Sequence, residues 1–316
     1  RSSDLFSATK ERTQVGFITQ RSDPLTRHNY YLSSAYDTTN NRAAWQISYL
    51  YDRFNPNLML SSASINSLLY DINGKSILAN ETSNTIQSSF ALIDLESNYL
   101  VSIGIKNSTI DSYNSTSNSL DNKQDNQIGL AISYSSVKQY PNAISPSDGF
   151  SSRLLIQDNN LLDSDYSGNS YLFFNDLFFE IDHKHVLSAQ LIAGHSTDDA
   201  RGFYLTSTSG ASSLTNLDRS MFSSHTFSMH INDYTSSQAS NIMLANAQWH
   251  FPLLIVEDRL ETTNKITDAI IGLVGITQIY GKVFAEYGRT WSTGSSEIDA
   301  KKVGLEDNDW VEVFNV

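Results

Sequence analysis

A chain of 316 residues with a formal net charge of −13 at pH 7 has room for one large all-β unit or two ordinary domains. The acidic balance excludes a nucleic-acid partner, which needs a basic stripe, and the absence of cysteine excludes a disulfide framework and a thiolate metal site. Only 17% of residues are charged, while Tyr (16) and Phe (15) are plentiful, a balance that suits a wall with a lipid belt outside and a polar interior better than a water-soluble surface.

Residues 1–12 read as a flexible lead-in. The chain opens on Arg1 without a signal peptide, as expected of a mature piece from which an export signal, and an upstream domain, have been removed. From residue 13 onward the recurring signal has period two. In Ala44 to Tyr51, the residues Trp45, Ile47, Tyr49 and Tyr51 alternate with Ala44, Gln46, Ser48 and Leu50. Tyr99, Val101, Ile103 and Ile105 alternate with Leu100, Ser102, Gly104 and Lys106. Ile128, Leu130, Ile132 and Tyr134 alternate with Gly129, Ala131 and Ser133, and Leu187, Ala189, Leu191 and Ala193 with Ser188, Gln190, Ile192 and Gly194. Soluble sandwiches alternate too, but they load the polar face with Lys, Glu and Thr. Here that face is mainly Gly, Ala, Ser and Gln, which fits a crowded, hydrated lumen.

Short polar connections at Asp37 to Arg42 and Arg53 to Asn57 carry turn formers. Longer polar stretches at 107–127, 141–149, 158–169 and 198–224 read as loops. No apolar run reaches the roughly 18 residues of a membrane helix; the nearest, Ile266 to Ile279, is broken by Thr267, Asp268, Thr277 and Gln278. With roughly thirteen or fourteen strand candidates, the predicted fold is all-β: an antiparallel transmembrane β-barrel of about 14–16 strands over residues 13–316, lacking its closing strands. Trp45, Tyr49, Tyr99, Tyr134 and Trp249 are candidate interfacial anchors against outer-membrane lipid.

Catalytic and metal signals are weak. Asp182, His183 and His185 lack a third ligand at a recognisable spacing and read as a polar turn. Asp198 and Asp199 read as a solvated acidic loop rather than a cation site. No Gly-x-Ser-x-Gly elbow exists. Neither metal, cofactor nor enzymatic activity is predicted.

Several pieces, taken in order, resemble one family. Ser22-Asp23-Pro24-Leu25 with Arg27-His28, then Tyr36-Asp37, Tyr49 to Asp52 and Pro56 resemble the opening strands of the bacterial surface antigen barrel, part of the outer-membrane protein assembly superfamily, in the form fused behind a periplasmic Tol-type β-propeller. Asp182 to Leu191 is similar to the turn and strand before that family's long loop. Trp249-His250-Phe251-Pro252-Leu253 is similar to its YRFPL strand, and Val283 to Trp291 to a strand with an acidic slot, filled here by Glu286. The resemblance implies an Arg-Gly-aromatic tripeptide on a loop tucked into the lumen, its arginine meeting the acidic residue. Arg201-Gly202-Phe203 has those letters, although counting back from Phe251-Pro252-Leu253 places the usual position nearer His230 to Tyr234. Pairing of Arg201 with Glu286, pinning an inserted loop, is therefore expected. After Val303-Gly304-Leu305 the family continues for about two further strands, whereas this chain reaches Val316 without the terminal aromatic. The resemblance implies a place in the bacterial outer membrane, a role in envelope assembly, translocation or transport, and an upstream β-propeller or other envelope proteins as partners. The alternative is a soluble all-β binding or adhesion module of the periplasm or cell surface.

Overall fold

Apolar–polar alternation over ten or more residues fixes an extended backbone whose two faces differ in chemistry, and nearly every long strand here has that form. The computed structural model describes residues 2–8, 13–38, 41–70, 76–114, 119–138, 146–182, 185–197, 199–207, 221–222, 225–229, 239–255, 278–292 and 310–315. In chain order the strands are β1 (Ser2–Ala8), β2 (Thr13–Ser22), β3 (His28–Asp37), β4 (Arg42–Tyr51), β5 (Asn57–Tyr70), β6 (Ser76–Ile93), β7 (Asn98–Asn114) and β8 (Ser119–Ser135), then β9 (Gly149–Asp158), β10 (Asn169–Asp182), β11 (His185–Ser196), β12 (Tyr204–Ser207), β13 (Thr226–Met229), β14 (Asn241–Ile255), β15 (Gln278–Trp291) and β16 (Trp310–Asn315).

Fourteen of them form one sheet in which each strand pairs with the next, β1 through β11 and then β14, β15 and β16. All of these pairings are antiparallel. The strands β12 and β13 form a separate two-stranded parallel ribbon. β1 and β16 are the sheet's edges, and the sheet is not closed between them among the described residues. Ser2 to Ala8, read from sequence as part of a flexible lead-in, instead extends the sheet by pairing with Thr13 to Thr19.

One face of the sheet is greasy and open, the other polar and buried. Ile47, Ile86, Val101, Ile103 (59% exposed), Ile105, Leu130 and Ile132 point outward. Gln46, Ser48, Thr85, Gln87, Ser102, Gln127 and Gln157 are buried on the opposite face. The faces can exchange roles in this way only if the sheet is curled, and contacts on the inner face show that it is. Arg201 bonds Glu81 on β6, while Phe203, two residues later, lies against Gly194 on β11. Five strand spacings of about 4.8 Å separate those strands along a flat sheet, about 24 Å that so short a segment can bridge only across a concave wall.

Outward rows define a belt. Leu92, Tyr99 and Tyr134 lie side by side at one end, and Asn84, Asn107 and Asn126 at the other. The eight steps from Tyr99 to Asn107 span about 27 Å along β7, about 20 Å once tilted as barrel strands are, close to the roughly 25 Å apolar band of outer-membrane barrels. Beyond the asparagine row, β7 and β8 continue to Asn114 and Ser119. The stretch 107–127, read from sequence as a loop, is thus mostly a strand hairpin. It is polar on both faces because it projects past the belt, so periodicity could not reveal it.

Candidate functional site: a loop latched inside the barrel

The connection between β11 and β14 folds back onto the inner wall and is held at three places. Ser196 begins the turn: its N–H donates to Ser240 O (2.7 Å) and its hydroxyl to Arg201 O (2.8 Å). Phe203 and Ala239 exchange two backbone bonds (2.7 and 3.0 Å), closing the neck of the loop.

The first anchor is ionic. Arg201, 7% exposed, donates through Nη2 to Glu81 Oε2 (2.9 Å) on β6 and through Nη1 to Asp125 Oδ2 (3.0 Å) on β8. Lys106 on β7, between them, donates to Glu81 Oε1 (2.6 Å). Two cations and two carboxylates make the cluster neutral, which is what makes burial of four charges tolerable. Both oxygens of Asp125 are used, since Oδ1 accepts from Gln127 Nε2 (2.9 Å) and Asn159 Nδ2 (2.8 Å). Gln127 in turn accepts from Gln157 (2.9 Å), carrying the network to β9. The Glu81 and Asp125 charges raise the Arg201 pKa against the opposing effect of burial.

The second anchor is steric. Gly104 on β7 and Gly129 on β8 are register partners. A Cβ on Gly129 would meet Phe222 at 2.6 Å and Met221 at 2.9 Å, so two bare backbones leave the room these side chains occupy. Met221 N–H donates to Gln87 Oε1 (2.6 Å), and the Arg153 guanidinium donates to Met221 O.

The third anchor is apolar. Phe203, Leu205, Phe227 and Met229 pack with Leu172, Ile192, Ile242 and Leu244 of the wall. Gly288 of β15 admits Leu205 and Met229. Burying four such side chains is worth about 1.5–3 kcal/mol each before the entropy of ordering the loop is set against it. His225 stacks on Phe203 (5.5 Å between centroids, 13° between planes). It is fully buried, and neither ring nitrogen has a hydrogen-bond partner. Burial, and then the Arg201 charge, hold its pKa down at about 3, so the ring is neutral.

The structure places Arg201, Gly202 and Phe203 inside the wall, all buried. The carboxylates Arg201 meets are Glu81 and Asp125 rather than Glu286, which corrects the sequence expectation. Glu286 is buried on the inner face of β15 and accepts from Asn246 Nδ2 (2.8 Å). The physical reason is reach. The tripeptide follows the end of β11 by only a few residues, so the arginine enters near the row of Asn84, Asn107 and Asn126, beside Glu81 and Asp125, whereas Glu286 lies farther down the wall, paired with Asn246.

The aromatic candidates lie on the outward face. Tyr49 packs on Tyr30 (5.1 Å), Tyr99 on Tyr134 (4.7 Å), and Tyr134 on Phe150 (5.0 Å). Trp249 packs on Phe251 (5.0 Å). All of these are at the end carrying the β2–β3, β6–β7 and β10–β11 connections, whereas Trp45 is nearer the opposite end of β4. At the turn considered for a metal, Asp182 Oδ1 accepts from His185 N–H (2.9 Å) and His185 stacks on Trp249. Among the described residues no group of three potential ligands is gathered. His183, Asp198, His230 to Tyr234, and Val303 to Leu305 lie outside the described residues.

No family model and no curated protein sequence matches the chain. Solved structures do match. BamA from Haemophilus ducreyi lacking POTRA domains 1–3 superposes with a TM-score of 0.56 at 11% identity, over 97% of this chain and 60% of that one. CdiB from Escherichia coli gives 0.59 at 8%, over 91% and 55%. The chain has the barrel fold of BamA and CdiB. At these identities the likeness is one of fold, and the chain spans little more than half the length of either. Inward and outward residues alternate along the strands of a barrel, and the latch described above occupies the inward side.

Proposed function

We propose that this chain is an outer-membrane β-barrel domain of a Gram-negative envelope, acting in protein assembly, translocation or transport, with the β11–β14 loop as a plug over its lumen. One observation carries the reading. Large aliphatic side chains are exposed in outward rows from β6 to β9, while the inner face buries glutamines, serines and a neutral four-charge cluster. Water would have to wet that outward surface at a cost of about 25 cal/mol per Å², and no second sheet covers it among the described residues; acyl chains remove the cost. Fold similarity to BamA and CdiB and the sequence resemblance to the surface antigen barrel support the same reading. A partnership with an upstream Tol-type β-propeller rests on the sequence resemblance alone. The role we propose is non-enzymatic: the buried charges are spent on holding the loop.

The test is export of the chain in a Gram-negative host. It should fractionate with the outer membrane, need detergent for extraction, show heat-dependent gel mobility, and conduct ions weakly in planar bilayers until Arg201 is replaced by alanine. A monodisperse chain in detergent-free buffer would sink the membrane assignment. Equal conductance with and without Arg201 would sink the plug.

A further inference from the structure

The outward wall is not uniform. On β6 to β9 the belt is built mainly from Ile, Leu, Val and Phe. On β11, β14 and β15 three consecutive strands set alanines outward at mid-belt, with Ala189, Ala247 and Ala285 in one row and Ala245 in the next. Their short side chains leave a groove of about 410 Å³ walled by Leu177, Leu191 and Tyr287, within the size range of small-molecule sites. Directly above it, Arg289 lies on the same outward face, in register with Met243. Its guanidinium rises over the Trp291 ring at 5.1 Å. One row higher are His195, bonded to Asn241 Oδ1 (2.8 Å), and Tyr171 stacked on it.

A lipid-facing arginine is tolerated near an interface and costly at mid-belt. Stacked on a rim tryptophan, Arg289 presents its donors at headgroup level. An arginine fork fits phosphate oxygens. The groove below is apolar and runs about 13 Å down the strands from Arg289 to Ala285. We propose that this face binds a phosphate-bearing lipid, with the phosphate at Arg289 and one acyl chain lying over the alanines. Polarity decides the occupant: among the described residues a cation at one end, then an apolar trough, matches an amphiphile. A peptide adding as a strand needs an unpaired edge, and β10, β11, β14 and β15 are paired on both sides. The inference rests on the membrane reading above.

The test uses native mass spectrometry of the detergent-purified chain after exchange with equal amounts of phosphatidylglycerol and of a diacylglycerol, which lacks the phosphate, of the same acyl length. One phosphatidylglycerol should be retained selectively. R289Q should lower that retention about tenfold, the size of one charge-assisted contact, while R289K retains part of it; A247L should displace both lipids by filling the trough. Equal retention of the two lipids by the wild-type chain, or unaltered selectivity in R289Q, overturns the site. Heat-dependent mobility of each variant is read alongside. If the wild-type chain never enters liposomes, the barrel reading fails; if it enters but shows no preference, the lipid site alone fails.

Discussion

Gly104 and Gly129 face each other across β7 and β8, and the gap between them is filled by Met221 and Phe222 from a loop more than ninety residues further along the chain. Glycine is commonly read in strands as weakness or as a bulge. Here the missing side chains form a docking surface, so substitution should unseat the loop and leave the sheet intact. G129V places carbon where Phe222 lies at 2.6 Å, an overpacking expected to cost about 1–3 kcal/mol. The expected result is a barrel of unchanged thermal mobility with raised bilayer conductance and faster protease cleavage of the β11–β14 connection. Wild-type conductance in G129V would show that the contact does not hold the loop.

The ionic anchor makes a sharper distinction between two carboxylates. Removing Arg201 leaves Asp125 buried and Glu81 part-buried, with Lys106 as their one remaining cation in the cluster. Stranding a buried charge costs about 3–5 kcal/mol, so R201A should release the loop. E81Q should weaken it measurably, and E286Q should leave loop release near wild type, because Glu286 takes no part in the cluster. R201K should not rescue, since a single ammonium cannot span two carboxylates as the guanidinium fork does. Protease protection of the loop reads all four variants. An E286Q effect as large as that of E81Q contradicts the observed pairing.

Much of this architecture is legible before any coordinates. The alternation of Ile103 and Ile105 with Ser102, Gly104 and Lys106 assigns both faces of β7 correctly, because lipid and lumen demand opposite chemistry at successive residues. Lys106 on the polar face was itself a signal: a charge among Gly, Ser and Gln at a lumen position needs a partner. Its partner Glu81 could not be found in the same way. It sits in a run of Asn, Thr and Ser where both faces of β6 are hydrated, so periodicity vanishes although the strand continues. Arg201-Gly202-Phe203 was recognisable as a loop motif, but which acid it meets depends on how far into the lumen the loop reaches. That depth is set by the few residues between the end of β11 at Ser196 and Arg201, and it cannot be read until the strand's end is fixed.

His225 gives the loop a pH dependence whose sign is fixed. Its pKa in the seated loop is about 3, against an ordinary value near 6.5. Between those values the released loop binds the proton that the seated one excludes, so seating is favoured as pH rises and lost as pH falls. The loss approaches about 1.4 kcal/mol per pH unit below about 6.5. Loop protection measured from pH 7.5 to 4.5 should decline for the wild-type chain. H225F keeps the stacking on Phe203 and should flatten that part of the decline. The charged groups nearest the ring, Arg201, Asp125, Lys106 and Glu81, are common to both proteins, so the difference between the two curves isolates the histidine. Superimposable curves would remove His225 from the account.

The outward face offers the most direct test of the membrane reading, because two residues of one strand and one face should respond oppositely. Ile103 is in the middle of the apolar belt, and Asn107, four residues on, is in the row where asparagines begin, donating to Asn126 Oδ1 (2.6 Å). In a water-soluble sheet both would be exposed strand positions, and arginine at either would change stability by a few tenths of a kcal/mol. In lipid, Ile103→Arg sets a cation near the midplane, at about 2–4 kcal/mol, whereas Asn107→Arg is at the interface, at about 0–1 kcal/mol. Unfolding in urea from liposomes should therefore separate I103R from N107R by at least about 2 kcal/mol, with N107R close to the wild-type chain. Equal midpoints for the two variants would mean that lipid does not touch Ile103, and the belt drawn from Tyr99 to Asn107 would have to be abandoned.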